Sequence, residues 1–308
     1  MSTNTLEYSI VDVFADAPFR GNPAGVVITP EILPTDVMQE IAREINLAET
    51  AFAVLDCPVL SESVYRLRWY TPLDEENFCG HATLATAHVL FSQTPAGPAK
   101  YEFETLAGTL TAEKVGDRVE LDLPADDLLE IGSAPGEGVF DPLAETVEEA
   151  LGGLATLKRA VQGRLDTVLE LQLVEGVHLA ELRVNEGPLA RIRTPRGVIL
   201  TTLLSTELEG TGPHIHSRMF SPADGMPEDP VTGSAHCTLA AFFVPQIIAA
   251  SGGQLAVEEF ELRATQGSLQ RGGEVRAVWD GKSGREEGRV KLRGKAFTVA
   301  EGTFFLRA

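Results

Sequence analysis

The sequence predicts an α+β protein of two pseudo-symmetric halves, each a set of strands around one central helix. Three observations predict it. The first is an internal echo. Arg68–Ala85 (RWYTPLDEENFCGHATLA) returns about 150 residues later at Arg218–Ala240. Each copy has an Arg-x-aromatic-Ser/Thr-Pro strand end (Arg68 to Pro72; Arg218 to Pro222), an acidic loop, and Gly-x-Ala (Gly80-His81-Ala82; Gly233-Ser234-Ala235). Pro72 to Gly80 is 8 residues and Pro222 to Gly233 is 11. A third match, Gly108-Thr109-Leu110 against Gly267-Ser268-Leu269, keeps the order, with successive offsets of 150, 153 and 159. Ordered matches at one period mark a duplicated domain, with chance similarity as the competing explanation. The second observation is that the runs after Gly80 (His81–Phe91) and Gly233 (Ala235–Phe243) lack a charged face, as buried helices do. The third is that most other periodic segments read as strands.

The elements follow in order. Tyr8–Phe14 alternates into a strand, Phe19–Pro23 is a turn, and Ala24–Thr29 is a second strand. Pro34-Thr35-Asp36 starts a helix with Thr35 as cap and Asp36 in the first turn. Val37, Met38, Ile41 and Ile45 share one face of it. Asn46–Thr50 links this helix to the strand Ala51–Leu55, and Val64–Tyr70 ends at the first motif. After the Gly80 helix come strands Tyr101–Thr105, Thr109–Lys114 and Arg118–Leu123. Pro124–Gly138, rich in Asp, Gly and Pro, is the domain boundary. The second half holds a helix Asp141–Leu151 with Pro142 at its first position. Its strands are Thr167–Leu173, Val198–Leu204, Ile215–Phe220, Glu259–Ala264, Val275–Trp279 and Val290–Leu292. The final strand, Gly302–Leu306, fits either half. The division is 1–125 with 295–308 for the first domain, and 126–294 for the second.

Composition narrows the function. The chain has 308 residues, 25 Lys+Arg against 45 Asp+Glu, and a net charge of −20. That disfavours nucleic acid or an anionic membrane as partner, while short-range donors still allow a small anionic substrate. No apolar run approaches the roughly 18 residues of a membrane span, and no secretory signal is visible. Cys57, Cys79 and Cys237 are too few for a disulfide framework. No nucleotide-binding glycine loop is present, so no cofactor is expected. His214-x-His216 has metal-ligand spacing, although paired strand histidines commonly serve other roles; no metal is expected. The protein is expected to be reduced and cytoplasmic.

The chemistry-bearing residues gather at the two helix starts. Free N–H groups and a positive dipole end at Gly80 and Gly233 suit an anion, most simply a carboxylate, if the halves share a cleft. The same glycines equally permit a tight strand-to-helix turn. Glu49, set among Leu47, Ala48, Ala51 and Phe52, is either a proton-shuttling carboxylate in apolar surroundings or an exposed loop acid. Asp229, before Pro230, orients a substrate or is a solvated loop acid. His81 and Ser234 occupy equivalent positions just inside the helices. His81 there is expected neutral, as an acid–base group or a packed ring, and Ser234 is a donor or a cap. Cys79 would have a lowered pKa if exposed at a helix start, and is otherwise a buried apolar side chain. Cys57 and Cys237 read as core.

Four ordered motifs resemble one family across essentially the whole chain. They are VDVFADAPFRGNPAGVV (Val11–Val27), NLAETAF (Asn46–Phe52), CGHATLATAHVLF (Cys79–Phe91) and EDPVTGSAHC (Glu228–Cys237). The chain resembles the PhzF-like phenazine-biosynthesis isomerases, with a diaminopimelate-epimerase-like fold. The resemblance implies two domains, each a curved sheet or barrel around a central helix, with the active site in the cleft between. It implies cofactor-independent acid–base catalysis. Glu49 falls on the proton-shuttling glutamate, and His81, Asp229 and Ser234 on the family's other catalytic residues. Gly80 and Gly233 fall where backbone amides receive substrate. The related epimerases use one thiol at each helix start. Cys79 matches the first, but Thr232 stands at the second, and threonine is a poor base.

The expected function is therefore an isomerase that moves a proton between carbons of a small unsaturated carboxylic acid, with trans-2,3-dihydro-3-hydroxyanthranilate as the family's template. The alternatives are an amino-acid racemase or epimerase, disfavoured by Thr232, and a non-enzymatic carboxylate binder, which would not need Glu49. Beyond the small anionic substrate no partner is expected, with a homodimer left open.

Overall fold

The computed structural model describes residues 4–55, 63–136, 138–222, 226–253, 255–281 and 288–306. In chain order these form β1 (Asn4–Val13), β2 (Asn22–Thr29), α1 (Thr35–Ile45), β3 (Glu49–Leu55), β4 (Val64–Tyr70), β5 (Glu75–Glu76), α2 (Gly80–Gln93), β6 (Lys100–Thr105), β7 (Gly108–Val115) and β8 (Arg118–Pro124). There follow β9 (Leu129–Gly132), α3 (Phe140–Leu151), β10 (Ala155–Gln162), β11 (Asp166–Leu173), α4 (Glu186–Leu189), β12 (Gly197–Leu203), β13 (Ile215–Ser221) and β14 (Met226–Asp229). The chain ends with α5 (Gly233–Ala250), β15 (Glu261–Gly267), β16 (Gly272–Trp279), β17 (Arg289–Gly294) and β18 (Ala296–Leu306). Chain contacts form two compact units, Met1–Asp122 with Arg293–Ala308, and Leu123–Leu292.

The two units repeat one pairing plan. In the first, β1 and β2 are antiparallel, β2 and β3 parallel, β3 and β4 antiparallel, β4 and β6 parallel, and β6 and β7 antiparallel. In the second, the same sequence of pairings runs β10–β11, β11–β12, β12–β13, β13–β15 and β15–β16. The short strands β5 and β14 lie on β4 and β13. β18 pairs with β1 along its whole length, which ties the C-terminal strand to the first unit.

Each central helix is enclosed by strands of its own unit. Eleven of the 14 residues of α2 are buried, and it packs on β1, β2, β3, β7 and β18. Twelve of the 18 residues of α5 are buried, and it packs on β15 and β16. Buried hydroxyls in α2 bond back to the helix: Thr83 Oγ1 donates to Cys79 O and Thr86 Oγ1 to Ala82 O, so they cost little. Strands β3 and β12 are buried on both faces, as strands covered by helices are. On β3 the second cover is α1, through Met38, Ile41 and Ala42 against Phe52 and Tyr70. In the second unit α3 buries Phe140, Leu143 and Val147 against Leu169, Leu171 and Leu200.

Several expectations need correction. α5 carries no Asp, Glu, Lys or Arg, and by length and composition alone it could cross a bilayer. Ser234, His236 and Thr238 hide this from a count of strictly apolar residues; its burial makes it a core helix of the second unit. Thr35 is the first residue of α1 and not its cap; the cap position is Pro34, with no side-chain bond. Pro142 is third in α3, which starts at Phe140. Cys57 lies outside the described residues. Cys237 is buried, and burial pushes its thiol up to about 12.

Candidate functional site

Glu49 reaches its place through the end of α1. Asn46 closes that helix in the left-handed region (φ 53), and three residues later Glu49 opens β3, opposite Ala24 of β2. It is thus a strand residue on a fixed backbone, not part of a link. The β1–β2 turn beside it is equally constrained. At Gly21 (φ 67) an added Cβ would sit 2.1 Å from Val13 O, so only glycine fits.

Three predicted residues meet at the start of α2. His81 Nε2 lies 3.1 Å from Glu49 Oε2, with side chains 8% and 14% exposed. The approach lacks hydrogen-bond alignment, and neither atom has another hydrogen-bond partner. Two buried polar atoms facing each other in this way are costly unless charged or completed by a third group. On the other side of the ring, Nδ1 lies 3.5 Å from Cys79 Sγ. Cys79 is the N-cap of α2, and its sulfur accepts from Ala82 N at 3.4 Å. The order is Cys79, His81, Glu49, a relay through one imidazole.

The electrostatics differ from expectation. Burial works against a charged His81, but the negative groups at Cys79 and Glu49 outweigh it and raise its pKa well above 6.5. His81 is therefore held as imidazolium rather than neutral. Cys79 is buried, and desolvation, with help from Glu49, raises its thiol pKa despite His81. The lowered thiol pKa expected for an exposed helix start does not arise.

One donor atom each from Glu49, Cys79 and His81 lies within 4.8 Å of the others. The sulfur and the carboxylate therefore also approach each other, and the three groups form one compact cluster around the imidazole. His214 and His216 are committed elsewhere. His214 Nε2 faces Glu207 O and its Nδ1 accepts from Arg263 N, while His216 faces Thr265 Oγ1 and Gly267 O.

The start of α5 is built differently. Thr232 is the cap residue, yet its side chain makes no cap bond; its hydroxyl donates to Asp229 Oδ2 instead. Asp229 ends β14 and is 8% exposed, so it is not a solvated loop acid. Gln266 clamps this turn: its Oε1 accepts from Thr232 N, and its Nε2 donates to Asp229 O and Thr232 Oγ1, all at 3.0 Å. Ser234 does not cap the helix. Its Oγ accepts from Arg196 Nη1 at 2.8 Å, and Arg196 is paired with buried Asp166. Inside the helix, His236 Nδ1 faces Thr232 O at 2.9 Å, the place Thr83 takes in α2. Burial lowers His236 to about 4, so it is neutral. Gly80 and Gly233 are the first residues of their helices.

Sequence reasoning missed Arg196, Asp166, Gln266 and His236. For Gln266 there was a signal, since it immediately precedes the third echo at Gly267. An apolar recess of about 210 Å³ under α1, lined by Ile32, Leu33, Met38, Phe52, Leu67 and Leu106 among others, contains none of the site residues.

The comparisons agree with this fold. The family model "Phenazine biosynthesis-like protein" matches residues 11–302. The chain is 36% identical over 307 residues to a mouse phenazine biosynthesis-like domain-containing protein 1, covering 96% of this chain and 97% of that one. It is 37% identical over 297 residues to an uncharacterized isomerase of Pseudomonas aeruginosa, with the same coverage. A crystal structure of a PhzF-family protein from Enterococcus faecalis matches with TM-score 0.77 and 33% identity, over 98% of this chain and all of that one. A hydroxyproline epimerase of Agrobacterium vitis, 11% identical with TM-score 0.55, covering 99% of this chain and 92% of that one, shares the fold alone. The chain therefore belongs to the PhzF-like family and has the diaminopimelate-epimerase-like fold, and its relatives support isomerase-type chemistry.

Proposed function

We propose that the protein is a cofactor-independent isomerase that moves a proton between two carbons of a small unsaturated carboxylic acid. The observation that carries this reading is the buried pair of Glu49 and His81, whose facing atoms have no other hydrogen-bond partner. Glu49 as carboxylate takes a proton from one carbon as the double bonds shift, and as carboxylic acid it returns that proton to another carbon. No electrons leave the substrate, and no second reactant is consumed. His81, 3.1 Å from Glu49, orients the carboxyl group through the transfer. At the start of α5, Asp229, Thr232 and Ser234 with the Gly233 amide are assigned to binding a carboxylate, as the Gly80 amide is at the start of α2. Two-thiol racemisation is the poorer reading, because Cys79 has a raised pKa and Thr232 offers no second thiol.

The test is turnover of trans-2,3-dihydro-3-hydroxyanthranilate, the template acid, in deuterated water. Wild-type product should carry solvent deuterium at the newly protonated carbon whenever Glu49 exchanges its proton before returning it, and Glu49→Gln should form the product far more slowly. Label uptake at the wild-type rate in Glu49→Gln, with loss in Cys79→Ser, would replace the glutamate shuttle with a thiol mechanism.

A further inference from the structure

We infer that Arg196 is a positioning residue that makes the Ser234 hydroxyl a dedicated hydrogen-bond donor to an anionic group at the start of α5. The inference rests on the proposed role of Ser234 in binding a carboxylate. Arg196 has a fixed backbone: its N–H donates to Leu165 O at 2.8 Å, and its carbonyl accepts from Ser221 Oγ at 2.7 Å. Its side chain is fixed as well. Nε donates to Asp166 Oδ1 at 2.9 Å and Nη2 donates to Asp166 Oδ2, a two-point fork on a carboxylate only 1% exposed. A fork of this kind sets the plane of the guanidinium, which a lysine could not reproduce. Nη1 is thereby aimed at Ser234 Oγ, 2.8 Å away.

A serine hydroxyl has one proton and two lone pairs. Arg196 fills one lone pair from a permanently charged donor, which polarises the O–H bond and leaves the proton for another acceptor. Ser234 is the second residue of α5, where helix N–H groups lack intrahelical partners and no side chain caps the turn. The hydroxyl proton and these amides are complementary to the same chemistry, a carboxylate. A neutral amide, whose carbonyl is a weaker acceptor and whose NH₂ is itself a donor, gains less.

The experiment measures binding of two probes, 2-aminobenzoate and its neutral amide 2-aminobenzamide, by calorimetry. The proteins are wild type, Arg196→Met, Ser234→Ala and the double variant. Wild type should prefer the acid. Each single variant should weaken the acid about tenfold, the usual worth of a charge-assisted bond, and leave the amide nearly unchanged. The double variant should be no weaker than either single one. Additive losses would overturn the inference, because Arg196 would then act on its own. Equal losses for both probes would also overturn it, since only the scaffold would have changed. Failure of wild type to bind the acid would overturn the carboxylate reading and this inference with it, whereas the two preceding outcomes overturn the inference alone. If Arg196→Met does not fold with Asp166 unpaired, Asp166→Asn combined with Arg196→Met removes both buried charges and is read by the same criteria.

Discussion

The two helix starts have the same backbone plan and opposite side-chain chemistry. At α2 the cap is a thiol that accepts an amide, and an imidazolium links it to a buried carboxylate. At α5 the cap hydroxyl is turned away from the helix to Asp229, and the next polar side chain is held by an arginine. The lesson is that duplication preserved the frame while the polar groups diverged. The frame includes a repeated salt bridge: Arg68 grips Glu75 through two bonds, and Arg218 grips Glu228 in the same way. Each arginine also lies over the aromatic ring two residues on, Tyr70 at 5.3 Å and Phe220 at 5.2 Å. In the proposed reading, the α2 start carries the proton-transfer pair and the α5 start carries an anion-binding group.

The largest expected effect tests that reading. Glu49→Gln should cut turnover of the template acid by a factor on the order of 10² to 10⁴, the range of general acid–base catalysis, with little change in binding. Asp229→Asn keeps a partner for the Thr232 hydroxyl and should cost only about tenfold, mostly in KM. If Asp229→Asn loses more in kcat than Glu49→Gln, the proton is handled at α5 and the comparison is inverted.

The repeated salt bridges allow a comparison of stability. Arg218 is 6% exposed at its side chain and also donates to Leu179 O and Leu182 O, whereas Arg68 is 32% exposed. Arg218→Met leaves Glu228 without its fork and strips the donors from the Leu179 and Leu182 carbonyls, and should cost about 3 kcal/mol in urea unfolding. Arg68→Met should cost about 1 kcal/mol, since water can replace most of what is lost. Equal losses would mean that the two copies are equally buried in solution.

The histidines weight the acid response toward the second unit, where three are lowered, whereas in the first unit burial lowers His88 while His81 is raised. Burial lowers His214, His216 and His236 each to about 4. A depressed pKa gives stability that is present above the unfolded value near 6.5 and is lost as pH falls toward 4. His81 is raised, so its contribution is complete below 6.5 and fades only as pH rises through its folded pKa. Between pH 6.5 and 4 the second unit should therefore lose amide-exchange protection first, by a few kcal/mol as an order of magnitude. First-unit amides opening earlier would count against this assignment.

Much of the frame was legible because it repeats and alternates. The two central helices, most of the strands around them and the positions of His81, Cys79 and Ser234 at the helix starts follow from local pattern, whereas the parallel and antiparallel pairings and the approach of Glu49 to α2 do not. β10 was not legible because its alternation is broken: the register against β11 shifts between Leu157 and Arg159, as a bulge does. β14 hides in a short acidic stretch containing Pro227. The third echo marks the same hairpin in both units, but Gly108 opens β7 while Gly267 closes β15. Arg196 could not be found from spacing, since it is joined to Ser234 across 38 residues and to Asp166 across 30. His81 was misread because the helix dipole was visible in the sequence, whereas the 3.1 Å approach of Glu49 was not.

The smallest expected effect concerns Cys79, the cap of α2, which stands where α5 has Thr232. A serine in its place offers a better cap oxygen for the Ala82 amide than sulfur does, so Cys79→Ser should change stability by less than about 1 kcal/mol. Turnover should fall by less than about tenfold, short of what loss of an acid–base group costs. The informative readout is His81. If its raised pKa comes from Glu49, the imidazole should still titrate above its ordinary range in Cys79→Ser and return toward 6.5 only in Glu49→Gln, as followed by NMR of the ring. If instead Cys79→Ser alone brings His81 down, the sulfur carries negative charge at neutral pH. The first helix start would then be a thiolate site opposite a threonine, and the glutamate would be its helper.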